Sequence, residues 1–160
     1  MVEPKIPQNT GNIIRLCACT GASLTIVGEP AFSMDDARMR RAGLDYYKEL
    51  TMERFDDWQT FMQSVVQRGQ SFADIAFLSR FAKRTYTDYK FQPNAILVFG
   101  NEPHGLPESI RKQAETSPDQ MLRIPVSQRC RSLNLANAVT LIVYEVLRQN
   151  SFSDLVLELD

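Results

Sequence analysis

The residues best suited to chemistry lie at the start of an apolar segment near the end of the chain. They are Arg131, Ser132, Asn134 and Asn137, and the segment continues to Leu147. Beyond them nearly every position is Leu, Ala, Val or Ile, which predicts a helix buried on all sides. A buried amide without a hydrogen-bond partner costs about 1–3 kcal/mol. The two asparagines therefore need partners in the nearby backbone, in a neighbouring subunit or in a ligand.

The common phosphate-binding and hydrolase motifs are missing. Gly100 and Gly105 have the glycine spacing of a P-loop, but Leu106 and Pro107 follow, so the phosphate-binding lysine is lacking. Neither a G-x-G-x-x-G fingerprint nor a G-x-S-x-G nucleophile elbow occurs. His104, the only histidine, lies in a Gly/Pro loop, where a surface side chain is commoner than a catalyst.

The cysteines do not suggest a metal site. Cys17, Cys19 and Cys130 form an odd set without C-x-x-C spacing. Because there is a single histidine, four tetrahedral zinc ligands are hard to assemble, and the sequence predicts neither a metal nor a disulfide. Cys17 and Cys19 are interpreted as small core residues.

Length and composition predict one ordinary globular domain over residues 1–160, with 44% hydrophobic and 23% charged residues. No apolar run approaches a membrane span, so no membrane partner is expected. The first residues resemble neither a signal nor a transit peptide, so the cytoplasm is expected. Because the net charge is −1, any nucleic-acid site must be a local basic patch. Arg38, Arg40 and Arg41 are usually a solvated helix face, with RNA contact as the alternative.

Apolar periodicity predicts strands and helices that alternate along the chain. The predicted strands span 23–30, 74–79, 95–100 and 121–125, and the predicted helices 13–20, 34–42, 55–69, 107–115 and 135–147. Residues 9–12 and Gly21 cap the first helix, Ser33 with Asp36 resembles a capping box for the second, and Pro107 takes a first helical position. Parallel neighbours need crossover connections, usually helical, so an α/β fold with a mainly parallel sheet is predicted.

Three loops rich in small or polar residues follow the predicted strands. Their sequences are FLS, FGNEPHG and IPVSQRCRS. In parallel α/β sheets, ligands bind at the carboxyl ends of the strands. The three loops are therefore expected to converge on one site.

Four segments in order resemble the SPOUT class of RNA methyltransferases, in particular the short tRNA wobble-nucleotide 2′-O-methyltransferase family. They are IPQNTGNIIRLCACTG, FSMDDARMRRAGLDY, LVFGNEPHGLP and RIPVSQRCRSLNLANAVTLIVYE. The resemblance covers nearly the whole chain, and only about 50–93 is loosely similar. It implies a mainly parallel α/β sheet with a C-terminal deep trefoil knot, the SPOUT α/β knot. It also implies a homodimer whose knot helices face each other.

The resemblance implies that S-adenosyl-L-methionine binds in the knot and that its methyl group is transferred to the ribose of the wobble nucleotide. The acceptor would be a cytidine or a modified uridine in the anticodon stem-loop of a tRNA, with a leucine tRNA expected. No metal is required, because the sulfonium methyl is already electrophilic. The positions that match cofactor contacts are Leu78, Gly100, Glu102, Ile124 and Ser132. Gly100 also fits a close approach of the ligand to the backbone, since it lacks a Cβ.

The same resemblance assigns catalytic and tRNA-binding residues. Arg15 matches the arginine of the reaction, and Asn134 the polar residue near it. Guanidinium is effectively always protonated, so Arg15 is expected to stabilise the developing alkoxide and a phosphate rather than to act as a base. A helix-surface ion pair is the alternative for Arg15. Tyr144 matches a residue tied to tRNA use, and Arg38 and Arg41 are the other candidate tRNA contacts.

The sequence departs from the family pattern at its start and in two loops. Only Met1 and Val2 stand where relatives have a short apolar strand, so either the start codon is misplaced or the first strand is truncated. In the middle loop and just before Arg131, this sequence has residues that differ from the family pattern. These differences are expected to affect substrate preference. Two alternative functions stay open: 2′-O-methylation of another RNA, or a non-catalytic RNA-binding protein that retains the fold.

Overall fold

The computed structural model describes residues 1–34, 50–153 and 155–157. In these ranges the strands are β1 (Leu24–Val27), β2 (Met52–Phe55), β3 (Ile75–Leu78), β4 (Arg84–Thr85), β5 (Ile96–Phe99) and β6 (Met121–Arg123). The α-helices are α1 (Pro7–Thr20), α2 (Trp58–Gln67), α3 (Glu108–Glu115) and α4 (Leu135–Gln149).

The strands pair in parallel throughout. One sheet pairs β1 with β2, and the other has the order β4-β6-β3-β5. The first residues join them, because the Val2 amide donates to the Phe99 carbonyl at 2.9 Å and the Glu3 amide to the Val27 carbonyl at 2.8 Å. The predicted α/β class with a parallel sheet is confirmed. The expected first strand is represented by a single bridge between Val2 and Val27.

Each face of the sheet carries two helices. Ile75 and Phe77 of β3 pack into the cluster that contains α2 and α3, whereas Ala76 packs into the cluster with α1 and α4. This alternation follows from the two-residue period of a strand. Successive residues of β3 thus contribute to both cores, and the predicted apolar run reflects burial on both sides.

Two predictions for the N-terminal half of the chain were wrong: one strand was missed, and one helix begins earlier than predicted. The strand β2 was missed and its last residue assigned to a helix, because β2 is half-exposed and charged at Glu53 and Arg54, which gives no apolar run. Helix α1 begins at Pro7, before the predicted cap, so Asn9 lies inside the helix and is buried. Its end at Gly21 is as predicted, with a left-handed φ of 71°.

Smaller corrections concern α3 and the cysteines. Pro107 stands just before α3 rather than in its first turn. Cys17 is buried, whereas Cys19 is exposed on the opposite side of α1 and is not a core residue. Residues 35–42 of the predicted helix 34–42, which include Arg38 and Arg41, lie outside the described residues. In the described ranges, no helix has the length and apolar character needed to cross a membrane.

Helix α4 is not buried on all sides, contrary to the prediction. Its inner face carries the buried residues Ala136, Val139, Ile142 and Val143. Its outer face leaves Leu141 36% exposed and Tyr144 45% exposed. The described residues cover α4 through one side only, against the sheet and α1, so Leu141 and Tyr144 on the other side are exposed among them.

Candidate functional site

A cavity of about 1140 Å³ opens at the carboxyl ends of β3, β5 and β6 and at the start of α4. The loops that follow the three strands line it, together with Ile6 and Asn9 at the start of α1. The predicted convergence of the loops is therefore confirmed. The loops converge because the carboxyl ends of parallel strands lie at the same edge of the sheet.

The cavity brings together six of the residues singled out from the sequence: Leu78, Gly100, Glu102, Ile124, Ser132 and Asn134. Two others lie elsewhere on the chain. Arg15 is exposed on α1 and Tyr144 is exposed on α4, and neither is among the residues that line the cavity. A role for either at this cavity requires a second chain or the bound substrate to bridge the gap.

The middle loop of the cavity is a tight hairpin. Asn101 and Gly105 exchange backbone hydrogen bonds of 3.0 and 2.9 Å, and the Asn101 side chain accepts from the His104 amide at 2.9 Å. A Cβ built on Gly100 would lie 1.9 Å from the carbonyl carbon of Gly105. The sequence interpretation reserved that space for a ligand. The structure shows that the returning backbone of the hairpin fills it, so Gly100 is needed for the loop itself.

Glu102 fastens this hairpin to the start of α1. Its carboxylate accepts hydrogen bonds from the Lys5 amide at 2.8 Å, from the Ile6 amide at 3.1 Å and from the Asn9 side chain at 3.0 Å. Ile6, at the N-cap of α1, offers no side-chain cap. The carboxylate binds the two backbone amides that precede the helix, at the end where the helix dipole favours an anion.

Asn9 continues the connection to α4. Its side-chain oxygen accepts from the Asn134 amide group at 2.9 Å, while the Asn134 oxygen accepts from the Ala136 amide at 2.9 Å and caps α4. The partners of Asn134 are thus the helix backbone and a second asparagine. Asn137 is exposed, so no burial cost arises for it in this chain.

Asn9 is the site residue that sequence reasoning missed. It is 4% exposed and lies between Glu102 and Asn134, 93 and 125 positions away. From the sequence it was interpreted as a local helix cap. Nothing in the surrounding residues identifies partners so distant along the chain.

Replacing Asn9 by alanine is expected to destabilise the fold by about 1–3 kcal/mol, because Glu102 and Asn134 each lose a part-buried partner. Asn94→Ala, at an exposed asparagine in the turn before β5, is the matched control and should shift stability by under about 0.5 kcal/mol. Urea unfolding of both variants measures the difference. Equal unfolding midpoints for the two variants would show that the Glu102–Asn9–Asn134 network does not contribute to stability.

The lining of the cavity is rich in cations. Arg80, Arg111, Arg123 and Arg131 line it, against two acids, Glu102 and Glu108. The Glu102 carboxylate is already engaged by three donors. An excess of arginine in a cleft attracts polyanions. Within the described residues, no group of three His, Cys, Asp or Glu side chains is placed to hold a metal ion.

The fold and the cavity define a class. A parallel α/β sheet with an arginine-rich cavity at the carboxyl ends of its strands has the architecture of a ligand-binding α/β protein. The chain belongs to the SpoU rRNA Methylase family, whose family model matches residues 1–144.

Individual relatives match nearly the whole chain. A tRNA (cytidine(34)-2'-O)-methyltransferase from a Polaromonas species is 44% identical over 153 residues, which cover 96% of this chain and 90% of that protein. A solved structure described as giving insights into "the 2-OH methylation of C/U34 on tRNA" is 31% identical with a TM-score of 0.82, covering 94% and 93% of the two chains. A SpoU methyltransferase from Streptomyces viridochromogenes, in complex with AdoMet, is 28% identical with a TM-score of 0.78 and covers 94% of this chain and 56% of its own. The resemblance stated from the four sequence segments is confirmed.

Proposed function

We propose that this protein transfers a methyl group from S-adenosylmethionine to the ribose 2′-hydroxyl of the wobble nucleotide of tRNA, cytidine or uridine 34. The observation that carries the proposal is the near end-to-end match to methyltransferases of that name. One cavity also collects six of the seven residues expected to bind the cofactor or act in the reaction, and Arg15 is the exception. A leucine tRNA is the proposed acceptor, and the cytoplasm the proposed location.

The cavity fits S-adenosylmethionine. At about 1140 Å³ it exceeds the roughly 300–1,000 Å³ of ordinary small-molecule pockets, which leaves room for part of a nucleotide as well. The half-buried apolar side chains of Leu78 and Ile124 suit the adenosine, and Ser132 and the backbone around Gly100 offer polar groups. Bound S-adenosylmethionine supplies the electrophilic methyl group. Glu102 acts indirectly, since its carboxylate holds the hairpin against α1.

The protein's contribution to the reaction is to hold the ribose hydroxyl in line and to favour its deprotonated form. Asn134 lies at the cavity, and its side chain is held by Asn9 and by the first turn of α4. It is therefore oriented before the substrate binds. Arg15 provides the fixed positive charge for the developing alkoxide and its phosphate. Its guanidinium does not take the proton, because it stays protonated.

Arg15 acts from the second subunit of a homodimer in this proposal. On α1 the exposed residues Gln8, Asn12, Arg15 and Cys19 form one helical stripe, and α1 packs beside α4. The exposed stripe of α4 carries Leu141 and Tyr144, which a symmetric partner would cover. A dimer through this face would bury the apolar side of α4 and bring each Arg15 to the other chain.

We also propose the trefoil knot that the family resemblance implies. Two features support it: β6 is inserted between β3 and β4, and the hairpin after β5 and the loop before α4 line the same cavity. Tyr144, Arg38 and Arg41 are proposed tRNA contacts. Arg38 and Arg41 lie outside the described residues, so their support is the sequence alone.

The experiment that tests the function is methyl transfer to tRNA from a strain that lacks this gene. Purified protein with S-adenosylmethionine should introduce 2′-O-methylcytidine or a 2′-O-methyluridine derivative at position 34, mapped by nuclease digestion and mass spectrometry. Methylation of ribosomal RNA instead would favour the other-RNA alternative. Cofactor binding without transfer to any RNA would favour the non-catalytic one.

Cys130 gives an independent test of where the cofactor binds. Cys130 is exposed at the cavity, whereas burial raises the pKa of the Cys17 thiol to about 11. Iodoacetamide near neutral pH should therefore modify Cys130 and spare Cys17, because the thiolate is the reactive form. Saturating S-adenosylhomocysteine should slow modification of Cys130 by at least roughly tenfold. An unchanged rate would place the cofactor elsewhere.

A further inference from the structure

The turn after β3 holds an aromatic ring out into solvent. Phe81 is 62% exposed, although its neighbour Ala82 is 5% exposed. The turn is anchored: Ser79 accepts from the Phe81 amide at 3.2 Å and from the Ala82 amide at 3.2 Å, and its own amide donates to the Leu122 carbonyl at 2.9 Å. Phe81 is thus presented by a hydrogen-bonded turn tied to β6.

A cation lies against this ring. The Arg80 guanidinium carbon is 4.7 Å from the centroid of the Phe81 ring, within the range of a cation–π contact. Both residues line the cavity, and Lys83, also exposed, follows in the same turn. Within the described part of the chain, neither Arg80 nor Lys83 forms an ion pair. The rim here combines an aromatic face with two available positive charges.

This combination matches single-stranded RNA. Loops of RNA are recognised through unstacked bases that pack on aromatic rings or arginine planes, while Lys and Arg contact the phosphates. An anticodon loop that delivers its wobble ribose to the cavity must pass its bases over the rim. A protein partner would favour an apolar patch, whereas Phe81 follows Arg80 and lies two positions before Lys83.

We propose that Phe81 stacks with a nucleobase of the tRNA anticodon loop and that Arg80 and Lys83 contact the adjoining phosphates. The inference rests on the proposed function, since it takes the tRNA as the substrate. It adds a binding site on the β3 turn to the residues suggested by the sequence.

The test measures tRNA affinity in the presence of S-adenosylhomocysteine. Phe81→Leu should weaken binding by roughly 5- to 150-fold, the range found when one base–aromatic stack is removed, and Phe81→Tyr should retain it. Val66→Ala, at a 65% exposed apolar residue of α2 away from the cavity, is the surface control and should bind as the wild type does. Arg80→Gln should reduce the slope of log affinity against log salt by about one, whereas Phe81→Leu should leave the slope unchanged.

A double-mutant cycle identifies the stacked base. Anticodon stem-loops with one abasic residue at position 33, 34 or 35 are titrated against wild-type protein and Phe81→Leu. The two changes should be non-additive at the base that Phe81 contacts and additive at the others.

Four results would overturn the proposal. The first two are an unchanged tRNA affinity of Phe81→Leu and an equal loss of tRNA affinity in Phe81→Tyr. The other two are a parallel loss of S-adenosylhomocysteine affinity in Phe81→Leu and dissociation of its dimer in sedimentation. The last two would assign Phe81 to the cofactor or to a second copy of the chain. If wild-type protein methylates tRNA but Phe81→Leu binds it normally, this inference fails alone. If wild-type protein neither binds nor methylates tRNA, both proposals fail.

Discussion

Replacing Gly100 by alanine is expected to abolish S-adenosylmethionine binding and to lower the free energy of unfolding by at least about 2 kcal/mol. One added methyl would lie 1.9 Å from the Gly105 carbonyl carbon and 2.2 Å from the Leu106 nitrogen. Both are backbone atoms, so no side-chain rotation relieves the collision. The hairpin must move, and it carries Glu102 away from the start of α1. Calorimetric titration and urea unfolding measure the two losses.

Gly69→Ala is the matched control for this prediction. Gly69 has a left-handed φ of 76°, but a Cβ there would meet no atom within 4 Å. It should cost only the roughly 1–2 kcal/mol of a left-handed alanine and leave cofactor affinity unchanged. If Gly100→Ala behaves like Gly69→Ala in both measurements, the close approach of the hairpin does not shape the site.

Replacing Arg15 by alanine is expected to lower the rate of methyl transfer by roughly 100- to 1,000-fold, the usual loss when a preorganised charge is removed from a developing oxyanion. Cofactor affinity should be unchanged, because the proposed interaction of Arg15 forms mainly in the transition state. Single-turnover kinetics at saturating tRNA and calorimetry with S-adenosylhomocysteine separate the two effects. A wild-type rate would show that Arg15 does not act in the reaction and would favour the alternative of a helix-surface ion pair.

A mixed dimer decides which subunit supplies Arg15. Ser132→Trp places a large ring at the cavity from an exposed loop position, so it should block the cofactor while the fold persists. Coexpressed Arg15→Ala and Ser132→Trp chains, purified through two different tags, then pair one intact cavity with one intact arginine across the interface. Methyl transfer at up to about half the wild-type rate is expected, since one of two symmetric sites is complete. No recovery would mean that Arg15 serves its own chain.

Local sequence patterns determined most of the secondary structure. The spacing of apolar residues located β1, β3, β5 and β6 and the helices on both faces of the sheet. It does so because side chains that face the core recur with the period of their own strand or helix. The helical connections made a parallel sheet the expected result, and a parallel sheet places its loops at one edge. The position of the cavity therefore followed from the sequence.

Patterns of this kind failed where an element is only half-buried. The strand β2 carries charged residues and forms an edge of the sheet, so its pairing with β1 stabilises it without an apolar signature. For α4 the pattern indicated burial on all sides, but the described part of the chain covers only one face. Apolar composition shows that a surface needs cover, and it does not show whether the cover belongs to the same chain.

Tertiary structure alone decided what the key polar residues and glycines contact. Gly100 is required by a backbone that returns five residues later, Asn9 by partners 93 and 125 positions away, and the exposure of Phe81 by a turn fastened to β6. Each depends on atoms that meet only after distant segments have packed together. Periodicity records how a residue faces the core as a whole, whereas a hydrogen bond or a close approach depends on one particular neighbour, and the fold selects that neighbour.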